Sequence, residues 1–387
     1  MSVDAEQAGR PPSEVPGIDV PRLAGWLARE LPGSGRIAAI DLIAGGRSNL
    51  TYAITLDGGR RIVLRRPPLG HVQPTAHDMR REYRVLSALS GEAALGGGTA
   101  VRAPVRVPVP RTLAFCDDED VIGARFYLMD HVEGRVLRSR EDAADITPEQ
   151  AAGLSEALAG ALAAIHTVDV TAAGLADFGR PSGYMARQLA RWRRQWDGSQ
   201  EAIRATGTVR DLPEYDRLGV RLAERLPAEA PPGRAGDTGE GRPRLVHGDF
   251  RLDNALVRLE PRPEIAAVVD WEMSTLGDPL SDLGLTLVYW TEAADADELP
   301  VGAKITTAPG FYSRREFTGR YAALTGFDLA DLDFYVAFAC FKLAVILEGI
   351  HARYLQKATV GEGFDQIGDG VPVLLRRAHR TLDTGSI

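Results

Sequence analysis

The pattern of apolar residues changes once along the 387-residue chain, and this change constrains the fold more than any other feature. Before residue 133, short apolar runs such as 51–56 and 61–64 are separated by turn signals containing glycine. Such runs predict antiparallel strands joined by hairpins. After Thr147, apolar residues recur mostly at helical spacing. The sequence therefore predicts an α+β protein, with a small antiparallel sheet lobe followed by a larger, mostly helical lobe.

The predicted strands and helices set the boundaries of the two lobes. Residues 1–16 are polar and contain proline, which predicts a disordered tail; residues 17–132 form the first lobe and residues 133–387 the second. The first lobe has predicted strands at 37–43, 51–56, 61–64, 109–115 and 126–130 and predicted helices at 19–31 and 77–89. Predicted helices of the second lobe lie at 148–166, 183–197, 211–227, 279–293, 311–323 and 328–355. Stretches rich in glycine and proline at 91–108 and 231–244 predict loops.

Composition narrows the class of partner. The formal charge is −8 and no long run of Lys or Arg occurs, which argues against nucleic acid. Cys116 and Cys340 are the only cysteines, and the N-terminus lacks the apolar core of a signal peptide, so a cytoplasmic protein is expected. The longest apolar stretch, 334–350, contains Lys342 and Glu348, which favours a buried helix over a membrane span. The sequence predicts no oligomeric state.

Three polar residues stand at a spacing that points to phosphoryl transfer. Asp249 is followed five residues later by Asn254, and Asp270 comes at the end of an apolar run. A kinase needs one carboxylate to orient and deprotonate a hydroxyl, and an amide and a second carboxylate to hold Mg²⁺ on the phosphates of ATP. The sequence therefore predicts a phosphotransferase that acts on a hydroxyl group.

The same residues belong to a longer pattern. It runs from His247-Gly-Asp249 through Asn254 and Asp270-Trp-Glu272 to Asp278-Pro and Asp282. This pattern resembles the aminoglycoside/choline phosphotransferase family of kinase-like enzymes, over about residues 35–350. More narrowly, the chain is similar to the kinase-like domain fused to some acyl-CoA dehydrogenases. The resemblance implies a protein-kinase-like fold of two lobes that uses ATP and Mg²⁺.

The resemblance also implies roles for individual residues. Asp249 would be the catalytic base, Asn254 and Asp270 would be Mg²⁺ ligands, and Asp282 would brace the catalytic loop. Asp278 would cap the helix that follows it. Glu272 stays open between a contact to metal or substrate and a solvated side chain.

Nucleotide-binding signals in the first lobe are weaker. Gly45 to Asn49 occupy the position of a phosphate-covering loop, so Ser48 and Asn49 are candidates, although the G-x-G-x-x-G pattern is absent and a tight turn explains two glycines equally well. Arg65 stands where kinases usually carry a lysine on the third strand, and Glu82 is its candidate partner. A basic strand end and an exposed helical glutamate are the alternatives.

Residues 126–132 resemble the strand and hinge that bind adenine. The backbone C=O of Asp130 and N–H of Val132 would contact the base, while Met129 would face either the nucleotide or the core.

The phosphate acceptor is the least determined part. Arg187, Arg191 and Arg194 share one face of the predicted helix at 183–197, and a solvated face is the simplest interpretation. If that face contacts substrate, it favours an anionic metabolite such as a hydroxyacyl-CoA and speaks against a polycationic aminoglycoside. The acidic residues downstream weaken this argument: Glu292, Asp295, Asp297 and Glu298. An aminoglycoside phosphotransferase and a non-catalytic nucleotide-binding pseudokinase are the alternatives.

Overall fold

The computed structural model describes residues 15–43, 49–69, 78–91, 107–228, 244–295, 301–302, 304–358 and 364–387. The chain divides into two compact units. Unit 1 is Met1–Gly134 together with Ala266–Glu272, and unit 2 is Arg135–Ile265 together with Met273–Ile387. The boundary predicted after residue 132 lies close to this division. However, Ala266–Glu272, which chain order assigned to the second lobe, belongs to unit 1.

Among the described residues, unit 1 contains one five-stranded antiparallel sheet of order β1-β2-β3-β5-β4. Its strands are β1 Ile37–Leu42, β2 Leu50–Leu56, β3 Arg61–Arg66, β4 Thr112–Cys116 and β5 Phe126–Asp130. Its helices are α1 Val20–Glu30 and α2 Met79–Ser90. The α+β sheet lobe predicted from the sequence is therefore confirmed. The predicted strand at 109–115 begins three residues later than expected, at Thr112.

Alternation of side chains across the sheet explains how unit 1 is held together. Ile54 and Leu64 point to one face, where Trp26 of α1 packs edge-on against Phe126 with ring centroids 4.9 Å apart. The next residue of β3, Arg65, points to the opposite face because successive side chains alternate. It lies across from Thr51 on β2 and Tyr127 on β5. The hairpin register thus places a cation in the middle of a buried sheet surface.

Unit 2 is mostly helical, as predicted. Within the described part its helices are α3 Pro148–His166, α4 Tyr184–Arg204, α5 Pro213–Glu224, α6 Pro279–Tyr289, α7 Arg314–Thr325, α8 Leu332–Leu355 and α9 Gly370–Thr384. Short strands accompany them: β6 Arg244–Val246 pairs with β9 Thr275–Gly277, and β7 Ala255–Arg258 pairs with β8 Glu264–Val268. The division between the units falls within β8.

Helix α8 forms the core of unit 2 and packs against α4, α6 and α9. It is the one helix among the described residues that is long and apolar enough to span a membrane, and 78% of its most apolar window is buried inside the protein. The expected buried helix is therefore present, and Lys342 and Glu348 lie within it.

Several sequence predictions for unit 2 were wrong in detail. Helix α9 and strand β9 were missed, α4 extends to Arg204 rather than residue 197, and α6 ends at Tyr289 rather than residue 293. The predicted tail at 1–16 and the predicted loops at 91–108 and 231–244 fall mostly outside the described residues.

Candidate active site

The turn after β6 carries the predicted catalytic loop of unit 2. Gly248 has φ 87°, in the left-handed region that glycine adopts without strain. A Cβ atom at this position would lie 2.6 Å from the backbone oxygen of Met273, so no side chain fits. The glycine of the His-Gly-Asp sequence is thus required both by conformation and by space, and it directs the chain into Asp249.

Asp282 of α6 braces this turn. Its Oδ2 accepts a hydrogen bond from the backbone N–H of His247 at 2.6 Å, and its Oδ1 accepts one from Gly248 N–H at 2.8 Å. His166 lies 3.3 Å from Oδ2. Burial alone would raise the pKa of Asp282. The hydrogen bond and charge of His166, together with the hydrogen bond from the Gly248 N–H, instead hold this pKa below its usual value. Asp282 therefore stays ionised and fixes the loop backbone, the role that the family resemblance implied.

Asp249 and Asn254 meet at hydrogen-bond distance. Asn254 Nδ2 donates to the backbone oxygen of Asp249 at 2.9 Å and to its Oδ2 at 3.0 Å. Since both partners are acceptors, the nitrogen must face Asp249 and the amide oxygen of Asn254 points elsewhere. The amide thus fixes the carboxylate on one side and offers an oxygen, which Mg²⁺ prefers, on the other.

Arg251, a cation without a predicted role, lies beside Asp249. Arg251 Nε is 3.5 Å from Asp249 Oδ2 and 3.2 Å from Asp253 Oδ1. Its guanidinium carbon lies 4.9 Å from the ring centre of Tyr289. Burial raises the pKa of Asp253, and the charge of Arg251 offsets part of that rise.

Lys342 is a second such cation, and sequence reasoning interpreted it only as a polar residue in an apolar helix. Its Nζ donates to the backbone oxygen of Gly248 at 2.9 Å and lies 5.6 Å from the ring centre of Trp192. Burial lowers the pKa of Lys342, while the charges of Asp249 and Asp282 act in the opposite direction. A half-buried ammonium loses part of its hydration, so this position of α8 is held for a polar purpose.

The tryptophans of α4 are core residues. Trp192 and Trp196 are buried, and Trp196 stacks on Tyr215 with ring centroids 3.8 Å apart. Arg191 is exposed, and its guanidinium carbon lies 5.3 Å from the Trp192 ring centre. One indole therefore has two cations beside it, Arg191 and Lys342.

Of the four acidic residues downstream, Glu292 is the one whose side chain lies within the described part of the chain. Glu292 accepts a hydrogen bond from the backbone N–H of Arg314 at 2.7 Å and forms an ion pair with its side chain at 3.3 Å. Glu292 therefore stabilises the N-terminal end of α7. The side chains of Asp295, Asp297 and Glu298 lie outside the described residues.

In unit 1, Arg65 is the centre of a buried charge network. Its Nε donates to Glu82 Oε2 at 3.0 Å and its Nη2 to Asp270 Oδ1 at 2.6 Å, while Nη1 lies 3.3 Å from Thr51 Oγ1. The side chain of Arg65 is 11% exposed and that of Glu82 is 2% exposed. Neither the basic strand end nor the exposed glutamate considered from the sequence matches this arrangement.

The protonation states of this network follow from burial and from the charges of neighbouring side chains. Burial would lower the pKa of Arg65, but Glu82, Tyr127 and Asp270 more than offset this and the pKa is raised. Burial raises the pKa of Glu82, and Arg65 counteracts part of the rise. Arg65 is thus a fixed positive charge held by carboxylates in the place where a phosphate-binding cation was predicted.

Asp270 itself has an unusual backbone, with φ 67° in the left-handed region. The indole N–H of the next residue, Trp271, donates to Val268 O at 3.0 Å and closes the turn. Glu272 Oε2 accepts a hydrogen bond from Asn49 Nδ2 at 3.0 Å, which contradicts the solvated alternative for this glutamate.

The segment predicted to bind adenine, residues 126–132, comprises strand β5 and the two residues after it. Met129 is 8% exposed and lies opposite Val63 in the sheet. The carboxylate of Asp130 is engaged by Arg111 at 2.8 Å, and by Arg60 at 3.4 Å, so its side chain is committed to ion pairs. Val132 follows the strand and is half-buried. Ser48, predicted to contact phosphate, lies outside the described residues.

Asp278 caps α6, as expected: its Oδ1 accepts the Leu280 N–H at 3.0 Å. Within the described ranges no group of three or more His, Cys, Asp or Glu side chains could hold a metal ion. Proteins usually bind Mg²⁺ through one or two side chains plus phosphate oxygens and water. Asp270 and Asn254 each offer the hard oxygen donor that such an ion takes.

A mostly helical unit that follows an antiparallel sheet unit and carries a braced Asp with an Asn five residues later is typical of kinase-like phosphotransferases. The chain belongs to the APH phosphotransferase enzyme family, whose model matches residues 39–317. Both the family and the likeness to acyl-CoA dehydrogenase relatives, predicted from the sequence, are confirmed.

Individual proteins show the same relationship. The chain is 30% identical over 378 residues to acyl-CoA dehydrogenase family member 11 of Rattus norvegicus, covering 95% of this chain and 44% of that protein. It therefore spans less than half the length of that relative. A solved aminoglycoside phosphotransferase homologue from Ralstonia eutropha, described as putative, is 29% identical, with a TM-score of 0.74 over 94% of this chain and 98% of its own. The GDP complex of wild-type aminoglycoside 2'-phosphotransferase-IIIa, 18% identical, shares the fold, with a TM-score of 0.53 over 94% of this chain and 99% of its own.

Proposed function

We propose that the protein is an ATP- and Mg²⁺-dependent kinase that transfers the γ-phosphate of ATP to the hydroxyl of a small molecule. The observation that carries this proposal is the Asp249 carboxylate, aimed by Asn254 Nδ2 at 3.0 Å on a loop braced by Asp282. Phosphoryl transfer leaves little covalent work for the protein, so positioning of this kind is the main requirement. The GDP complex of an aminoglycoside 2'-phosphotransferase with the same fold also supports nucleotide use.

Each candidate residue has a role in this proposal. Asp249 orients the acceptor hydroxyl and takes its proton, and Arg65 holds nucleotide phosphate with Glu82 fixing the guanidinium. Asp270 and Asn254 would hold Mg²⁺, which neutralises charge on the phosphates. Further nucleotide contacts are proposed for Ser48 in the loop and for Met129, Asp130 and Val132 at the hinge. Asn49 is not among them, because its side chain is buried and donates to Glu272.

Substitution of Asp270 by alanine should weaken Mg·ATP binding by more than about tenfold, because it removes a proposed metal ligand. Isothermal titration with Mg²⁺ and a non-hydrolysable ATP analogue measures this directly. Asp41→Ala, which removes an exposed carboxylate from β1 of the same unit, is the matched control and should bind as wild type. An unchanged magnesium dependence in Asp270→Ala would reject Asp270 as a ligand.

Charge supports an anionic acceptor, such as a hydroxyacyl-CoA. Lys342 and Arg191 lie beside the same indole, 5.6 and 5.3 Å from the ring centre of Trp192, and Arg251 lies 3.5 Å from Asp249. Keeping like charges close together is unfavourable unless a negative group joins them. The Lys342 ammonium has three donors, and one is used on Gly248 O. A polycationic aminoglycoside would be repelled by Lys342 and Arg191, while the charge of Arg251 is balanced by Asp249 and Asp253.

A coupled assay of ATP consumption against hydroxyacyl-CoAs, phosphorylated alcohols, sugars, choline-like amines and aminoglycosides tests the acceptor class. We expect turnover with anionic alcohols and none with aminoglycosides. Lys342→Met should raise KM for the anionic acceptor by about 10- to 100-fold, the equivalent of one charged hydrogen bond, and Lys342→Arg should restore much of it. Arg353→Met, which removes an exposed cation from the same helix, is the control.

The outcomes of this screen separate the alternatives. Turnover of aminoglycosides, with a KM that Lys342→Met leaves unchanged, would favour an antibiotic-modifying kinase. Stabilisation of the protein by Mg·ATP without a phosphorylated product from any acceptor would favour the non-catalytic pseudokinase. The absence of the usual β3 lysine is the sequence feature behind that second alternative. Arg65, which is held at that position by Glu82 and Asp270, supports the active enzyme instead.

A further inference from the structure

The side chain of Asn49 joins two segments that are 223 residues apart in the sequence. Asn49 precedes β2 and is 1% exposed. Its Nδ2 donates to Glu272 Oε2 at 3.0 Å. Both residues belong to unit 1. A charged acceptor makes this hydrogen bond stronger than one between neutral groups.

A second contact holds the same turn. Arg65 on β3 binds Asp270 at 2.6 Å, two residues before Glu272. Asp270 has φ 67°, a strained conformation for a non-glycine residue that persists only when its surroundings fix it. The ion pair and the Asn49 hydrogen bond lie on either side of Trp271, whose buried ring anchors the middle of the turn. Together they fix the backbone that presents Asp270.

Simple filling of space does not account for Asn49. Its Oδ1 is buried and has no hydrogen-bond partner among the described residues. A buried amide oxygen without a hydrogen-bond partner is destabilising, so an apolar residue of similar size would fill the position with less loss of stability. The amide is needed for its N–H group, which Asp or Leu could not supply to a carboxylate.

We propose that Asn49 is a positioning residue: it holds Glu272 and, through it, sets the orientation of the Asp270 carboxylate toward a divalent cation. This role rests on the proposed function, because it assigns Asp270 to Mg²⁺ binding. It gives Glu272 a role without requiring it to touch metal or substrate. It also makes the two contacts interdependent, since both act on one short turn.

The test compares Asn49→Ala, Glu272→Ala and the double variant by two measurements. Hydrogen exchange of the segment 266–273 in the nucleotide-free protein should increase in all three. Affinity for Mg²⁺ with a non-hydrolysable ATP analogue should fall about 10- to 100-fold in each single variant, as for other groups that orient metal ligands. The double variant should be no weaker than the weaker single variant, because both substitutions break the same contact.

Two further variants keep the test decisive. Glu272→Gln keeps an oxygen that can accept from Asn49, so its exchange should remain near that of wild type. Thr55→Ala on the same strand β2 is the control. Unchanged exchange and unchanged affinity in Asn49→Ala would overturn the proposal, as would additive losses in the double variant. If the wild-type protein binds no nucleotide, the proposed function fails, while the exchange measurement still decides whether Asn49 holds the turn.

Discussion

The Asp249→Asn variant is expected to lose about 10²- to 10⁴-fold in turnover while it binds Mg·ATP as tightly as wild type. The substitution keeps the shape of the side chain but removes the group that takes the acceptor proton. The loop should stay in place because Asp282 and Lys342 hold the backbone of His247 and Gly248, which the substitution does not alter. Single-turnover transfer and calorimetric nucleotide binding, measured on the same preparation, separate the two effects.

The neighbouring Asp253→Asn is the matched control, since Asp253 also contacts Arg251 but has no assigned role in transfer. It should retain most of the turnover. Loss of nucleotide affinity with intact turnover in Asp249→Asn would contradict the role given to Asp249.

Replacement of Arg65 by methionine should destabilise the protein by about 3–5 kcal/mol, because it leaves a buried carboxylate without its counter-charge. Glu82 is 2% exposed, and its negative charge is balanced by Arg65 at 3.0 Å. Asp270 is 31% exposed, so water can replace its partner more easily. Unfolding by urea, followed by circular dichroism, measures the change in the free energy of unfolding.

The double variant Arg65→Met with Glu82→Leu provides the control. Apolar pairs often replace buried ion pairs at little cost, so this variant should recover most of the stability while nucleotide binding remains impaired. A loss below about 1 kcal/mol in Arg65→Met alone would mean that the pair behaves as an exposed ion pair.

The fold was predictable where local pattern decides it. The turn between β2 and β3 and the alternation along both strands are sufficient to place Arg65 on a hairpin. Helix α9 was missed although Val371, Leu374, Leu375 and Ala378 follow helical spacing. Pro372 and the glycines before it weakened that signal, even though proline is tolerated in the first turn of a helix. The assignment of Ala266–Glu272 to unit 1 could not be predicted, because chain order does not determine which sheet a segment packs against.

The candidate site, too, was predictable only where its residues lie close together in the sequence. Asp249 and Asn254 are five residues apart, so one short loop brings them together and the sequence shows it. Lys342 reaches Gly248 from a helix 94 residues later in the chain, through the packing of α8. Its signal was a lone lysine in an apolar helix, which indicates a polar partner without identifying it. The pairing of Asn49 with Glu272 is longer in range still, and no local pattern indicates it.

Transfer of label from ATP carrying radioactive phosphorus at its γ-phosphate tests the central claim most directly. Wild-type protein and Asp249→Asn would each be incubated with Mg²⁺ and a pool of anionic hydroxy compounds, and the products separated by chromatography. The account predicts a labelled phosphate ester with wild type, and a rate lower by at least about 10²-fold with Asp249→Asn. Equal labelling by both proteins would contradict it, because the acceptor proton would then leave without the Asp249 carboxylate.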